Sequence, residues 1–209
     1  MVKNERPSRE DYYRVLVSRL PKDALVVTAL GNASYLWARM HHRAENFYVE
    51  DAMGLALPLA IGLALAQPAR RLVAVEGDGG LLMHMGALVT LGAVAPKNLT
   101  VLLIDNGVHA ASGGQALTSQ TLDFAALARA AAIDQAAHVA TPGAFSDALR
   151  AALCEDGPQV FVLSTAPDLE LVVPPLAMDP VLIKHRFIAA VGAPPYVPKL
   201  FGGGRLGRE

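Results

Sequence analysis

The chain has 209 residues, the size of one large α/β domain, with 53% hydrophobic and 18% charged residues and a formal net charge of −1. That balance gives no electrostatic reason for a nucleic-acid partner or an anionic membrane surface, and the basic residues are scattered rather than interleaved with aromatics. So apolar a composition calls for a membrane span, a doubly covered parallel sheet or a large subunit interface; the longest apolar run, Ala52–Ala66, has 15 residues with Pro58 and two glycines, short of the roughly 17–25 that a span needs.

In chain order, the charged and polar start, Met1–Tyr13, has no apolar signal-peptide core. A strand is expected over Leu25–Thr28, a helix over Tyr35–His41, a weaker strand at Phe47–Val49 and a helix over Leu55–Ala66. A strand at Leu72–Val75 leads to a helix over Leu81–Ala95, and a strand over Thr100–Asp105 leads to a long polar, Gly-rich loop, residues 106–121. Loops of that length are often functional. A helix over Phe124–Ala131 and a strand at His138–Ala140 follow, then a helix over Ala144–Cys154 with Thr141 as N-cap and Pro142 in the first turn. The last strand is Val160–Ser164. Cys154 is alone, which excludes an internal disulfide and fits a reducing, cytoplasmic setting; in a helix-like stretch it is expected to be inert packing.

Strands such as Val101–Ile104 are continuously apolar, as a parallel strand covered on both faces must be. With regular β-α-β alternation they predict an α/β fold, a single doubly wound parallel sheet with helices on both faces. Residues 1–165 form this domain. Residues 166–209, rich in Pro and ending with Gly202–Gly204, form an extension with one helix near Val181–Val191, expected to pack on a partner or fray.

Ligands of such sheets sit at the carboxyl ends of the strands. Two of those ends carry Gly77-Asp78-Gly79 and, after 26 intervening residues, Asn106. Glycines let backbone amides approach a phosphate at a helix start, and a carboxylate beside that anion makes sense with a cation between them. Mg²⁺ or Ca²⁺ fits, because it takes oxygen ligands and shares them with phosphates. Asp78 and Asn106 offer side-chain oxygens, and the turn at Gly107 can aim the carbonyl of Val108 at the same ion. A GDG alone is a common strand-to-helix turn; with the apolar helix behind it and Asp-Asn-Gly closing the next strand it is far more specific.

The segment GDGGLLMHMGALVTLGAVAPKNLTVLLIDNGVHAASGGQ resembles the diphosphate-binding domain of thiamine diphosphate-dependent enzymes, and within them the β-subunit type of sulfopyruvate and phosphonopyruvate decarboxylases, which share NFY…MGLA, GDG-x-LLM, NLT, DNG and GGQ. The similarity covers roughly residues 24–165. It implies the thiamine diphosphate-binding fold, with thiamine diphosphate and Mg²⁺ as cofactors. Asp78, Asn106 and the carbonyl of Val108 become the Mg²⁺ ligands. Gly77, Gly79 and Gly80 shape the diphosphate turn, and Gly31 and Asn32 add contacts. Met53 becomes the wedge behind the cofactor's bent shape, and the carbonyl of Asp51 meets its pyrimidine amino group. Many relatives carry Gly-Ser where this chain has Asp51-Ala52. The implied reaction is decarboxylation of a 2-oxo acid: the cofactor's thiazolium carbon adds to the keto carbon and the ring takes up the electrons as CO₂ leaves.

The resemblance also implies a partner. The glutamate that activates the cofactor belongs to a pyrimidine-binding domain for which this chain has no room, so a separate α-type subunit is expected to supply it in a hetero-oligomer. His109 and Gln115 are the expected catalytic side chains, His109 as a proton shuttle, with Ser112–Gln115 closing over the substrate. No Lys or Arg occurs between Lys97 and Arg129; the cations that a dianionic 2-oxo acid would want come from the partner, or the substrate is less charged. Three other readings stand beside this one: a non-catalytic or regulatory relative, a carboligase subunit, and a nicotinamide dinucleotide-binding domain. The last lacks its third glycine, since Leu82 stands in that place.

Overall fold

A computed structural model describes residues 6–50, 52–118, 121–167, 169 and 173–193. Its elements, in order, are α1 (Arg9–Arg19), β1 (Leu25–Thr28), α2 (Asn32–His41), β2 (Asn46–Tyr48), α3 (Ala56–Ala66), β3 (Leu72–Gly77), α4 (Asp78–Met83) and α5 (Gly86–Val94). Then come β4 (Leu99–Asp105), β5 (Val108–His109), a 3-10 turn (Ala110–Ser112), β6 (Gln115–Ala116), α6 (Phe124–Ala130), β7 (Gln135–Val139), α7 (Pro142–Ala152), β8 (Gln159–Ser164) and α8 (Pro180–Ala190). Six strands form one sheet in the order β2-β1-β3-β4-β8-β7, every pair parallel.

Successive strand side chains point to opposite faces, and here both faces are buried. Val27, Ala74, Leu103 and Val162 pack beneath α3, α5 and α6, while Val26, Val75, Leu102 and Phe161 pack beneath α1, α2 and α7. This is the doubly covered parallel sheet expected from continuously apolar strands. None of the helices among the described residues is long and apolar enough to cross a membrane.

Several features differ from expectation. The polar start contains α1, whose Ser8 and Asp11 form a reciprocal capping box and whose Tyr12, Tyr13 and Leu16 are buried. The stretch expected as one helix over 81–95 is two, because the chain leaves helical geometry at His84 and restarts at Gly86. Within the expected loop, β5 and β6 pair as a short antiparallel hairpin. Cys154 is exposed rather than packed, since it lies beyond the Phe145–Leu149–Ala152 stripe that α7 buries. In the extension, α8 folds back along this chain's own β2, where Phe187 meets Phe47 edge-on at 5.3 Å. A helix there covers a sheet edge that would otherwise be free to pair.

Candidate active site

A cavity of about 290 Å³ opens at the carboxyl ends of β1, β3 and β4. It is lined by Asn32, Met53, Gly77, Asp78, Gly79, Gly80, Asn106, Val108 and His109 of the expected site, and by Arg9 and Glu76 besides. The sheet register explains the meeting. Gly77 pairs with Ile104 across β3 and β4, so Asp78 and Asn106 leave adjacent strands at nearly the same level, separated in sequence but joined in space.

Asp78 is 4% exposed. One carboxylate oxygen accepts the Gly107 amide at 2.7 Å and the other the Gly79 amide at 2.8 Å, so the carboxylate ties the two crossovers together. The Asn106 side-chain oxygen accepts the Val108 amide at 3.0 Å, closing the turn around Gly107, whose φ of 72° favours glycine. Burial pushes the Asp78 carboxyl up; the Gly107 and Gly79 amides oppose that, and the neighbouring Asp105 adds to it. A buried carboxyl of this kind stays ionised only when it is paired or holds a cation. Among the described residues no three His, Cys, Asp or Glu side chains converge as a metal centre, so an ion held here needs amide and backbone oxygens and ligands from a bound phosphate. That donor set is the one Mg²⁺ accepts.

The remaining walls are built for an anion. α2 starts at Gly31, φ 73°, with no side-chain cap, and Ser34 fixes the turn by donating to the Ala29 carbonyl at 2.7 Å. α4 likewise starts without a side-chain cap, at Gly77. Apart from the Gly79 amide, which the Asp78 carboxylate takes, the first-turn amides of these helices are left for another acceptor. Gly80 sits against the Glu76 carboxylate and Gly54 against the Gly80 carbonyl, so a methyl group at either would collide. The residues present thus fit a magnesium-bound diphosphate.

Met53 stands at the rim, 39% exposed. The His109 ring lies against Gly79, where an added Cβ would come within 2.8 Å of it. Gln115 does not line the cavity: it is exposed on β6, donating to the Ser112 carbonyl and accepting from the Ser112 hydroxyl, both at 3.1 Å. Gly31 lies at the turn beneath the wall, outside the lining itself. Asp51 falls outside the described residues. Glu76 is buried in the wall with its carboxyl pushed up to about 7 by burial, against the pull of the Gly77, Leu57 and Ala56 amides. Arg9 had no expected role. The Ser8–Asp11 spacing could have revealed its helix, and no sequence signal places that helix beside Asn32.

Residues 29–163 match the family model "Thiamine pyrophosphate enzyme, C-terminal TPP binding domain". The chain is 40% identical over 192 residues to phosphonopyruvate decarboxylase of Streptomyces viridochromogenes, covering 91% of this chain and 48% of that one. It is 35% identical over 169 residues to sulfopyruvate decarboxylase subunit beta of Methanococcus maripaludis, covering 81% and 90% respectively. The chain therefore spans about half of the first relative and nearly all of the second. Benzoylformate decarboxylase of Polynucleobacter necessarius shares the fold, with a TM-score of 0.69 at 21% identity over 84% of this chain and 36% of that one.

Proposed function

The chain belongs to the thiamine pyrophosphate enzymes, and on that premise we propose that it is the diphosphate- and Mg²⁺-binding subunit of a decarboxylase of sulfopyruvate- or phosphonopyruvate-like 2-oxo acids, completed by a pyrimidine-binding subunit. The observation that carries the reading is the convergence of Asp78, Asn106 and the Gly77–Gly80 turn on one cavity. Similarity along almost the whole of a relative that is itself named a β subunit supports the split arrangement.

Asp78 and Asn106 would hold Mg²⁺ by their side-chain oxygens and Val108 by its carbonyl. The Gly77–Gly80 turn and the start of α2 at Gly31 and Asn32 would receive the diphosphate. Met53, at the rim, would pack against the bound cofactor. When bound, the cofactor supplies the nucleophilic carbon and the electron sink that loss of CO₂ requires. His109 faces the cavity and exchanges a proton at its imidazole nitrogen with the reacting carbon or its oxygen. The Ser112–Gln115 hairpin turn, with Gln115 held by Ser112, closes over the substrate. The activating glutamate and the cations facing the substrate's acidic head come from the partner; Glu76 is held within its own wall by the Gly77 amide.

The test is to purify the chain with the subunit that accompanies it and to assay CO₂ release from a panel of 2-oxo acids. Sulfopyruvate or phosphonopyruvate should turn over in the complex and in neither subunit alone. Absence of decarboxylation across the panel rejects the enzymatic reading. Asp78→Ala should lower Mg²⁺-dependent affinity for thiamine diphosphate by about 100-fold or more, as expected when a charged ligand to the ion is lost. Unchanged binding by calorimetry rejects the metal assignment.

A further inference from the structure

Among the described residues that line the cavity, Arg9 is the one with a permanent positive charge; Glu76 and Asp78 are its acids. Arg9 opens α1 and is 6% exposed. Its position is fixed from behind. One turn along α1, Tyr13 donates its hydroxyl to the Ala33 carbonyl at 3.2 Å and meets Trp37 edge-on at 5.3 Å. Tyr12 donates to the Val139 carbonyl at 3.0 Å. Residues four apart share a helix face, so the contact that seats Tyr13 on Ala33 also delivers Arg9 to the start of α2. There Asn32 and Ala33 line the same cavity.

We propose that Arg9 binds the terminal phosphoryl group of the cofactor's diphosphate, from the α2 side, opposite the cation held by Asp78 and Asn106. The proposal rests on the reading above and adds to it a cationic ligand from the N-terminal helix. A diphosphate carries more negative charge than one divalent cation cancels once the Asp78 carboxylate is counted, and backbone amides supply only partial charges. A guanidinium supplies a full one, cannot lose its proton, and offers paired donors that match two phosphate oxygens. Its place favours the diphosphate over the substrate. Arg9 lies with Asn32 and Ala33 at the start of α2, whereas Met53, Gly54, Gly80 and Glu76 cluster at the other wall, where Gly54 touches Gly80 and Gly80 touches Glu76. A 2-oxo acid reacts at the ring end of the cofactor, the end that Met53 marks.

Calorimetric titration of the purified complex with thiamine diphosphate and Mg²⁺ at several salt concentrations tests this, using the native protein, Arg9→Gln, Arg9→Lys and Asp78→Ala. Arg9→Gln should raise the cofactor Kd about ten-fold and flatten its salt dependence, since one charge-assisted phosphate contact is gone. Arg9→Lys, which keeps the charge and loses the fork, should keep the native salt dependence but bind the cofactor a few-fold more weakly than the native protein. A native-like Kd and salt dependence in Arg9→Gln overturns the proposal. So does a rise in the KM for the 2-oxo acid with cofactor affinity intact, because Arg9 would then serve the substrate. If Arg9→Gln does not fold by circular dichroism, Arg9→Lys decides: weakened cofactor binding supports the contact and unchanged binding overturns it. If the native complex binds no thiamine diphosphate, the functional reading itself fails, and Arg9 with it; if only Asp78→Ala behaves as native, the metal assignment fails and the Arg9 result still stands.

Discussion

The two helical layers on this sheet end differently at their outer surfaces. On one side, α1, α2 and α7 bury Tyr12, Trp37 and Phe145 completely and turn ion pairs outward, Glu10 with Arg14 at 2.6 Å and Asp147 with Arg150 at 3.7 Å. On the other side, α3 and α5 contain no charged residue, and Leu65, Met83, Val89 and Val94 are exposed, Met83 and Val89 by 63% and 65%. Leu55 and the rim residue Met53, just before α3, are exposed as well. Apolar surface on this scale marks an interface. The first layer is finished within this chain. The second leaves apolar side chains uncovered, and they extend to Met53 at the mouth of the cavity.

Substitutions should separate the two layers cleanly. Phe145→Ala on the closed side removes a ring that packs edge-on against Tyr12 at 5.7 Å and Phe161 at 6.4 Å. Loss of so large a buried ring costs about 3–5 kcal/mol, to be read as a fall in the urea midpoint of the isolated chain. On the open side, Met83→Glu with Val89→Glu should change the stability read from that midpoint by no more than about 0.5 kcal/mol, as at other exposed positions. The same pair should abolish association with the partner subunit in light scattering. Normal assembly of the double variant would erase the contrast between the layers.

The ease of reading these regions followed how local their signals are. β4 and the Gly77–Gly79 turn were legible because a two-face-buried strand is apolar without interruption and the phosphate turn needs adjacent glycines. The start of α7 was equally plain, since Thr141 accepts the Ala144 amide at 3.2 Å just ahead of Pro142. α1 was missed because its buried residues look ordinary until Val139 and Ala33, distant in sequence, receive Tyr12 and Tyr13. The β5–β6 hairpin was missed because two-residue strands have no periodicity to detect. The break between α4 and α5 was hidden by apolar residues on both sides of it. Within the site, the residues found from sequence belong to the motif itself; Arg9 comes from an element whose placement only tertiary packing decides.

Glu76 offers a finer probe, because its carboxyl lies between the cavity and the start of the open layer. Its side-chain oxygen accepts the Gly77 amide at 3.0 Å, and the amides of Ala56 and Leu57 at the head of α3 also act on it. The other carboxyl oxygen is buried without a hydrogen-bond partner. Burial is the larger influence and raises the folded pKa from 4.5 to about 7. A raised carboxyl favours the protonated form in the fold, so its contribution is fully present below the unfolded value and is lost as pH rises through about 7. A shift of that size corresponds to about 3 kcal/mol. In buffer free of divalent cation and cofactor, the native chain should therefore lose about that much stability relative to Glu76→Gln between about pH 5 and pH 8. The amide keeps the shape and cannot ionise. Parallel stability profiles for the two proteins would mean that the carboxylate is solvated or ion-paired in the fold, and that the wall joining cavity and α3 is more open than its packing implies.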